Sequence, residues 1–378
     1  MRIQSRSRFV LLAGLSVALL AWLHSVSVAA EPVFSRVSFP TCDGLELSGT
    51  FYPAGAAGKK DKDAVVLLLH EFDPRKGGGS HGEWDKLAAK LQQEGYAVLS
   101  FDFRGFGQSK SIRDEFWKFR HNQQGIPRGY KGGAKSAESI DQKDFMPFYY
   151  PFLINDIAAA KAFLDRKNDA REINSSNLVL VGAGDGATLG ALWMAAEMHR
   201  QRDTSPPMLI PPAVPLRMDD PEGKDIAGAV WLTISPNIAG KSVSKALSAA
   251  LVETARENKV PVAFLYGKND ANAANLTLNY LNTIQPKKYD LKNTGEKAIA
   301  GTDLVASKLL GERVGATKEV IKQLDRVMED RGSKEWKKRD EEKSRFFWSR
   351  GKNQLMLAKT AGEKVPHPIP PSLIRLGN

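Results

Sequence analysis

The stretch Asn177–Leu192, which reads NLVLVGAGDGATLGAL, decides the fold. An apolar run of buried-strand type, Leu178–Val181, enters a glycine-rich turn and leaves it in a series of small, helix-compatible residues. This succession of strand, tight turn and helix is the context in which a Gly-x-Ser-x-Gly sequence raises a nucleophilic serine above a sheet. Here the pattern falls on residues 182–186, Gly-Ala-Gly-Asp-Gly, so the position of the serine is occupied by Gly184.

Outward from this stretch, strand and helix patterns alternate along the chain. Apolar runs of strand type lie at 33–39, 45–51, 64–69, 96–101, 226–234 and 260–266; helical spacing occurs at 82–94, 156–166, 241–258 and 271–281; a weaker strand pattern lies near 288–291. This alternation predicts an α/β fold with a doubly wound, mostly parallel sheet over residues 31–312.

Three segments depart from the alternation. Residues 111–150 and 202–221 are long insertions, rich respectively in Gly, Lys and aromatic residues and in proline, and insertions of this length are typical of lids, binding loops or packed arms. Residues 313–378 are predicted to form a charged, helical C-terminal extension that ends in a proline-rich tail.

The first thirty residues have the pattern of a secretory signal peptide. Three arginines occur among the first eight residues, an apolar run covers 9–23, and small residues end the segment at 28–30. The apolar run is shorter than the ~20 residues that a spanning helix needs, and no later segment is apolar enough to cross a membrane. We therefore expect cleavage before Glu31, no membrane span in the mature chain, and a periplasmic or extracellular location.

Composition restricts the partners and cofactors. Cys42 is the sole cysteine, so no internal disulfide can form. Loss of the three leader arginines lowers the net charge from +11 to +8, and much of the excess lies in 331–352. Aromatic residues interleave with these charges, but in an exported chain an amphipathic helix is favoured over a nucleic-acid surface. No nucleic-acid partner, metal or organic cofactor is expected.

Five motifs in order resemble the α/β-hydrolase superfamily. They are Cys42-Asp43-Gly44-Leu45, VVLLLHEF at 65–72, GYAVLSFDFRGFGQS at 95–109, GAGDGA at 182–187 and LYGKND at 265–270. The chain is most similar in style to bacterial exported hydrolases of the dienelactone-hydrolase or acyl-esterase kind, over residues 33–310. The resemblance implies a nucleophile on the turn after the fifth strand, an acid after a later strand and a histidine after the last one.

Two of these three groups are missing from the sequence. The resemblance places the acid at Asp270, which is also a suitable N-cap for the helix that follows. The window in which the histidine is expected, 293–304, contains none, and Asp303 stands there instead. A carboxylate with an ordinary pKa of about 4 is a weak base for a hydroxyl group. His367 is the only histidine farther along the chain, and as a displaced base it is an alternative to a surface role.

The turn itself leaves an alternative open. If the frame moves by one residue, Asp185 stands at the tip, and carboxylate nucleophiles occur in the dehalogenase and epoxide-hydrolase branches of the superfamily that the chain resembles. Those branches still need a histidine to activate water. The backbone N–H groups of Phe72 and Asp185 match the family's oxyanion-hole positions, and such a hole can persist as an anion-binding nest.

Three functions remain. The first is a non-catalytic binding or scaffolding protein, with a pocket lined by Phe72, Gly184, Asp185 and aromatics of the 111–150 insertion, holding a small molecule or an anionic ligand. The second is an active hydrolase of esters, epoxides or alkyl halides that uses Asp185 or an unrecognised nucleophile. The third is a structural protein of the cell envelope whose basic C-terminal helix contacts a partner.

Overall fold

The main sheet of the described residues has eight strands. Their bounds are β1 (Ser35–Pro40), β2 (Glu46–Tyr52), β3 (Val65–Leu69), β4 (Ala97–Phe101), β5 (Leu178–Ala183), β6 (Ile226–Leu232), β7 (Val262–Gly267) and β8 (Gly295–Ile299). Their order across the sheet is β1-β2-β4-β3-β5-β6-β7-β8. Strand β2 pairs antiparallel with both neighbours, whereas β4, β3, β5, β6, β7 and β8 pair in parallel. The carboxyl ends of the parallel strands therefore meet at one edge, where a site is expected.

Helices cover both faces of this sheet. They are α1 (Glu83–Gln93), α2 (Arg120–Gly125), α3 (Ile154–Asp169), α4 (Gly184–Glu197), α5 (Ser244–Leu251), α6 (Ala271–Ile284) and α7 (Ala316–Arg331). Buried residues of α1 and α7 pack in one apolar cluster, and those of α3, α4, α5 and α6 pack in a second one. Because β3, β4 and β5 are buried along their whole length, they read as continuous apolar runs. The predicted doubly wound sheet of the α/β-hydrolase type is confirmed.

The last strand lies outside the predicted range. The strand pattern near 288–291 falls mostly outside the described residues, and the structure forms β8 over Gly295–Ile299 instead. Strand β8 is an edge strand whose residues are mainly exposed, so it lacks the apolar run that marks the inner strands.

The insertion at 111–150 packs into the core. It contains a 3₁₀ turn at Asp114–Lys118, α2 and further 3₁₀ turns at Gln142–Asp144 and Pro147–Leu153. Several of its residues are buried in the same apolar cluster as the sheet: Phe116, Ile126, Ile140, Phe145, Tyr149 and Tyr150. Among the three alternatives for this segment, which were a lid, a binding loop and a packed arm, these buried contacts favour the packed arm.

The C-terminal segment corrects the sequence analysis. Helix α7 covers one face of the main sheet, but the predicted amphipathic helix over 331–352 is wrong: after Arg331 the described residues are extended or turn, with strands at Phe346–Ser349 and Leu355–Lys359. The physical reason is the two-residue period of burial. From Phe346 to Ser349, buried and half-buried side chains alternate, which suits a strand and does not suit a helix.

These strands belong to a second, four-stranded sheet. Its order is Leu355–Lys359, Phe346–Ser349, Arg200–Asp203 and Met218–Pro221, with all neighbours antiparallel. The proline-rich insertion thus supplies strand residues from its flanks, while 206–215 between them lie outside the described residues.

The computed structural model describes residues 31–55, 61–132, 135–205, 216–285, 291–332, 334–349 and 354–374. The chain divides into two units, Met1–Glu31 and Pro32–Asn378, and the predicted signal peptide lies outside the described residues. Within those ranges, no helix has the length and apolarity needed to traverse a bilayer.

Candidate functional site

The turn between β5 and α4 has the backbone geometry of a nucleophile elbow. Gly184 follows Ala183, the last residue of β5, and begins α4 with φ +51°. A side chain is strained in this left-handed region, and glycine adopts it without that cost. The position that the sequence analysis identified as vacant is therefore the tip of the turn.

The glycines on either side allow the turn to approach the sheet closely. A Cβ on Gly186 would lie 2.2 Å from the carbonyl oxygen of His70, and one on Gly182 would lie 2.9 Å from the Cα of Ala187. Neither position has room for any side chain. The first turn of α4 consequently lies directly over the end of β3, where Glu71 and Phe72 follow.

The space that a nucleophile would need is occupied. A Cβ on Gly184 would lie 3.1 Å from the Cβ of Glu71 and 3.9 Å from the Cβ of Ala306. Glu71 reaches across the turn and accepts a hydrogen bond from the hydroxyl group of Ser307, while its other oxygen, Oε2, is buried without a hydrogen-bond partner. Glu71 and Ser307, which are far apart in the sequence, thus lie together beside the tip of the turn.

The segment that should carry the histidine is built around Ala306. This residue has φ +54°, and its N–H donates to the Thr233 hydroxyl at 3.2 Å, which ties it to the end of β6. Asp303, the residue expected at the histidine position, is exposed. The structure places Ala306 and Ser307, rather than Asp303, against the turn.

Asp270 lies where the acid was expected, after β7, and acts as a helix cap. Its carboxylate accepts a hydrogen bond from the N–H of Ala273 at 3.0 Å, which satisfies a free donor in the first turn of α6. The preceding residue, Asn269, donates its N–H to the carbonyl oxygen of Thr302 at 2.9 Å. The acid position is therefore next to the loop after β8, but no histidine stands there to be oriented.

Both ring nitrogens of His70 are engaged in structural hydrogen bonds. Nδ1 donates to the carbonyl oxygen of Glu71 at 2.7 Å, and Nε2 accepts from the N–H of Phe103 at 3.1 Å. Burial lowers the pKa of His70, so the ring stays neutral and joins the ends of β3 and β4. It has no free nitrogen for proton transfer.

His367 is held elsewhere. The backbone N–H of His367 donates to the carbonyl oxygen of Ala358 in the second sheet at 2.6 Å. The ring atom Nε2 lies 2.9 Å from a carboxylate oxygen of Glu363. These contacts place it in the proline-rich tail and pair it with a neighbour on that tail.

Asp185 anchors the loop that follows β6. Its Oδ2 accepts from the N–H of Ala239 at 2.8 Å, in a tight hairpin whose two central residues, Ala239 and Gly240, both have positive φ. Burial raises the pKa of Asp185 to about 6, and the charge of Asp73 adds to this, whereas the bonds from Ala239 and Ser235 oppose it. At neutral pH Asp185 is mainly ionised.

Phe72, one of the two predicted oxyanion-hole residues, starts a small aromatic cluster. Its ring stacks on Tyr150 of the insertion at 5.8 Å between centroids and contacts Phe106 at 5.0 Å. Asp185, the other one, lies in the first turn of α4, where backbone N–H groups have no partner within the helix. An anion at this point would face the carboxylates of Glu71 and Asp185, so these contacts give no support to the predicted anionic ligand.

The arrangement lacks the parts for serine–histidine chemistry. Hydrolysis by that route needs a hydroxyl nucleophile on the turn and a base within hydrogen-bond reach of it. Here the tip of the turn is Gly184, which has no side chain, and the residues around it are Glu71, Ser307 and Ala306. Sequence reasoning missed the pair Glu71 and Ser307, which lie far apart in the chain.

Metal ligation is not suggested by the geometry. Across the described ranges, no group of three or more His, Cys, Asp or Glu side chains is arranged to hold a metal ion.

Comparison with known proteins gives distant structural likeness only. No protein-family model and no curated protein matches the sequence. Among solved structures, an esterase from Pyrococcus furiosus is 16% identical, with a TM-score of 0.46 over 79% of this chain and 93% of that one. An α/β serine hydrolase without a lid from Xanthomonas campestris is 12% identical, with a TM-score of 0.44 over 80% and 96%. An esterase from the fungus Rhizomucor miehei is 11% identical, with a TM-score of 0.48 over 80% and 86%.

These scores are too low to support conclusions about activity. The strand order, the elbow after β5 and the positions of the five motifs are what identify the fold, and they do so from the chain itself. By that evidence the chain has the α/β-hydrolase fold.

Proposed function

We propose that this chain is an exported α/β-hydrolase-fold protein that does not hydrolyse substrates by the serine–histidine route and acts as a binding or scaffolding protein. The observation that carries the proposal is the filled elbow: the Cβ of Glu71 lies 3.1 Å from the point where a side chain at 184 would begin. The serine and the histidine are missing at separate positions of the sequence, and Glu71 and Ala306 both lie close to the tip of the turn.

The test is hydrolysis of activated aryl esters by purified protein that starts at Glu31. Asp185→Asn and Asp270→Asn are measured beside it, with Asp114→Asn, an exposed carboxylate in the insertion, as the matched control. We expect a background rate that none of the three substitutions changes. Turnover that falls in Asp185→Asn or Asp270→Asn but not in Asp114→Asn would contradict the binding proposal.

The alternative is an active hydrolase of epoxides or alkyl halides with Asp185 as nucleophile. A carboxylate oxygen would attack the substrate carbon, and an ester bond to the protein would form. With an alkyl halide the halide ion would leave; with an epoxide the ring C–O bond would break, and the oxygen would stay on the adduct and take a proton from water. Its pKa of about 6 leaves Asp185 ionised at neutral pH, which favours attack, but the bond to Ala239 occupies Oδ2.

This alternative has a distinct signature. Without a histidine to activate water, the alkyl-enzyme ester should accumulate, so intact-mass measurement after incubation with a haloalkane or an epoxide would show an adduct that Asp185→Asn lacks. Absence of the adduct in the wild-type protein would remove this alternative. Export itself is tested by sequencing the N-terminus of protein secreted from a host, where Glu31 is the expected first residue.

A further inference from the structure

A cluster of ionisable side chains lies buried where the C-terminal arm, described at residues 334–349 and 354–374, docks on the domain. Nine buried members come from α3, α4, the second sheet, the 3₁₀ turn before β6 and the arm itself. Its carboxylates are Asp165, Glu197, Glu222, Asp225 and Glu341, and its cations are Lys161, Arg200, Arg339 and Lys359. We call this set the arm cluster; it has one more carboxylate than it has cations.

Most members are paired at short range. Arg200 bonds to Glu197 at 2.7–3.0 Å, and Lys161 bonds to Asp165 at 2.6 and 2.7 Å. Arg339, from the arm, contacts Asp225, and its Nε lies 3.3 Å from Glu222. These pairs satisfy the buried charges, as a stable buried network requires.

Glu341 is the member whose carboxylate makes no hydrogen bond. Neither of its carboxylate oxygens has a hydrogen-bond partner, although the side chain is wholly buried, and its ion pair with the Nζ of Lys359 is long, at 3.9 Å from Oε1. Lys359 instead gives its hydrogen bonds to the carbonyl oxygens of Glu341 and Ser344. A buried carboxylate without hydrogen bonds is costly when ionised, so Glu341 is the carboxylate of the arm cluster that we expect to hold a proton.

The groups around Glu341 come from several elements. Arg200 and Lys359 favour its ionised form, whereas Asp165 and Glu222 oppose it, and burial opposes it most strongly. Arg166 of α3 also interacts with Glu341, and Asp169 accepts a hydrogen bond from its backbone N–H at 2.8 Å. The neighbouring Glu342 is exposed.

We propose that Glu341 is a proton-controlled latch of the C-terminal arm: the arm stays docked while this carboxyl group carries a proton and loosens when the group ionises. The arm adds two strands, Phe346–Ser349 and Leu355–Lys359, to the second sheet and is also held by bonds such as that from the N–H of Ile369 to Asn155 at 2.7 Å. Opening of the arm breaks these contacts, and amide exchange detects that opening. Its detachment leaves the main sheet complete.

The sign follows from linkage between proton binding and docking. Burial raises the pKa of Glu341 from an ordinary 4.5 to about 7 in the docked state. The stabilisation of the docked arm is therefore complete below pH 4.5 and is lost as the pH rises through 7. If Glu341 returns to its ordinary pKa in the open state, the open fraction rises on the order of tens-fold between pH 5 and pH 8.

The test is amide hydrogen exchange of the full mature chain at pH 5 and pH 8, corrected for the pH dependence of the intrinsic rate. Peptides of the arm should lose protection at pH 8 in the wild-type protein and keep it in Glu341→Gln, which has the shape of the protonated group. Glu342→Gln, the exposed neighbour, should behave as the wild type does. Peptides of β5 serve as the internal reference.

A second variant keeps the proposal testable if Glu341→Gln folds poorly. Lys359→Met removes a cation 3.9 Å from Oε1, so the docked-state pKa of Glu341 rises further, and the loss of protection should continue to higher pH and be larger at pH 8 than in the wild type. An equal pH response in wild type and Glu341→Gln, no larger loss at pH 8 in Lys359→Met, or a response spread evenly over β5 and the arm would overturn the proposal.

Discussion

The elbow and the arm cluster are two buried regions of the same domain with opposite chemical content. At the elbow, where the fold usually places its reactive groups, the tip is Gly184 and the nearest ionisable side chain, Glu71, fills space. In the arm cluster, nine ionisable side chains are buried together, and they join the C-terminal arm to α3 and α4. Burial of ionisable groups in this region therefore supports docking of the arm.

The contrast shows that a shifted pKa alone is not sufficient evidence for a functional residue. Unusual pKa values collect at active sites, but structural networks produce them as well. Asp185, beside the elbow, has a raised pKa because it is buried while it anchors the hairpin at Ala239. Glu341, in the arm cluster, has a raised pKa because it is buried and its carboxylate accepts no hydrogen bond. Geometry distinguishes the two cases.

The largest expected effect tests whether the arm cluster stabilises the fold. Arg339→Met should reduce the free energy of unfolding by about 3–5 kcal/mol, because Asp225, Glu222 and Asp165 remain buried without their shared cation. Urea denaturation measures it. The matched control is Arg113→Met, which breaks an exposed pair with Glu46 and should cost about 0–1 kcal/mol. Equal losses in both variants would show that burial of the cluster is irrelevant.

The elbow provides the next test. Gly184→Ser should reduce the free energy of unfolding by about 1–3 kcal/mol, because a side chain is strained at φ +51° and meets Glu71. No esterase activity should appear, since no histidine stands beside the new hydroxyl group to remove its proton. Gly301→Ser is the control: it has φ +72° with open space around it, so it reports the backbone strain alone.

Crowding by Glu71 can be separated from strain. If Glu71 crowds the vacant site, Glu71→Gly, which removes the Cβ that lies 3.1 Å away, should recover part of the loss in the Gly184→Ser background and none of it in the Gly301→Ser background. Identical losses in the two glycine variants, with no recovery, would contradict a filled elbow.

Local sequence patterns were sufficient for the main sheet and for the turn. Inner strands are buried on both faces, so each appears as an apolar run, and the glycines at 182, 184 and 186 indicated a tight turn because only glycine allows that approach. The exposed edge strand β8 had no such signal. The segment 331–352 was assigned as a helix because mixed charges and aromatics resemble an amphipathic pattern, whereas its pairing partner, Arg200–Asp203, is distant in the sequence.

The contents of the site were predictable only in part. Absence of a histidine could be read directly from residues 293–304, and Asp270 followed from its motif. The contact between Glu71 and Ser307 could not, since 236 positions separate them and Ser307 belongs to none of the five motifs. The contact that closes the elbow depends on the tertiary fold, whereas the missing histidine can be seen in the sequence.

The smallest expected effect tests that contact. Ser307→Ala leaves the buried carboxylate of Glu71 without its hydrogen bond, so the free energy of unfolding should fall by about 1 kcal/mol. The matched control is Ser38→Ala, which breaks an exposed bond of the same chemistry, from Ser38 to Glu46 at 2.9 Å, and should cost less because water replaces it. A smaller loss at Ser307 than at Ser38 would mean that Glu71 does not depend on Ser307 to hold it across the elbow, and the cover over Gly184 would then rest on packing alone.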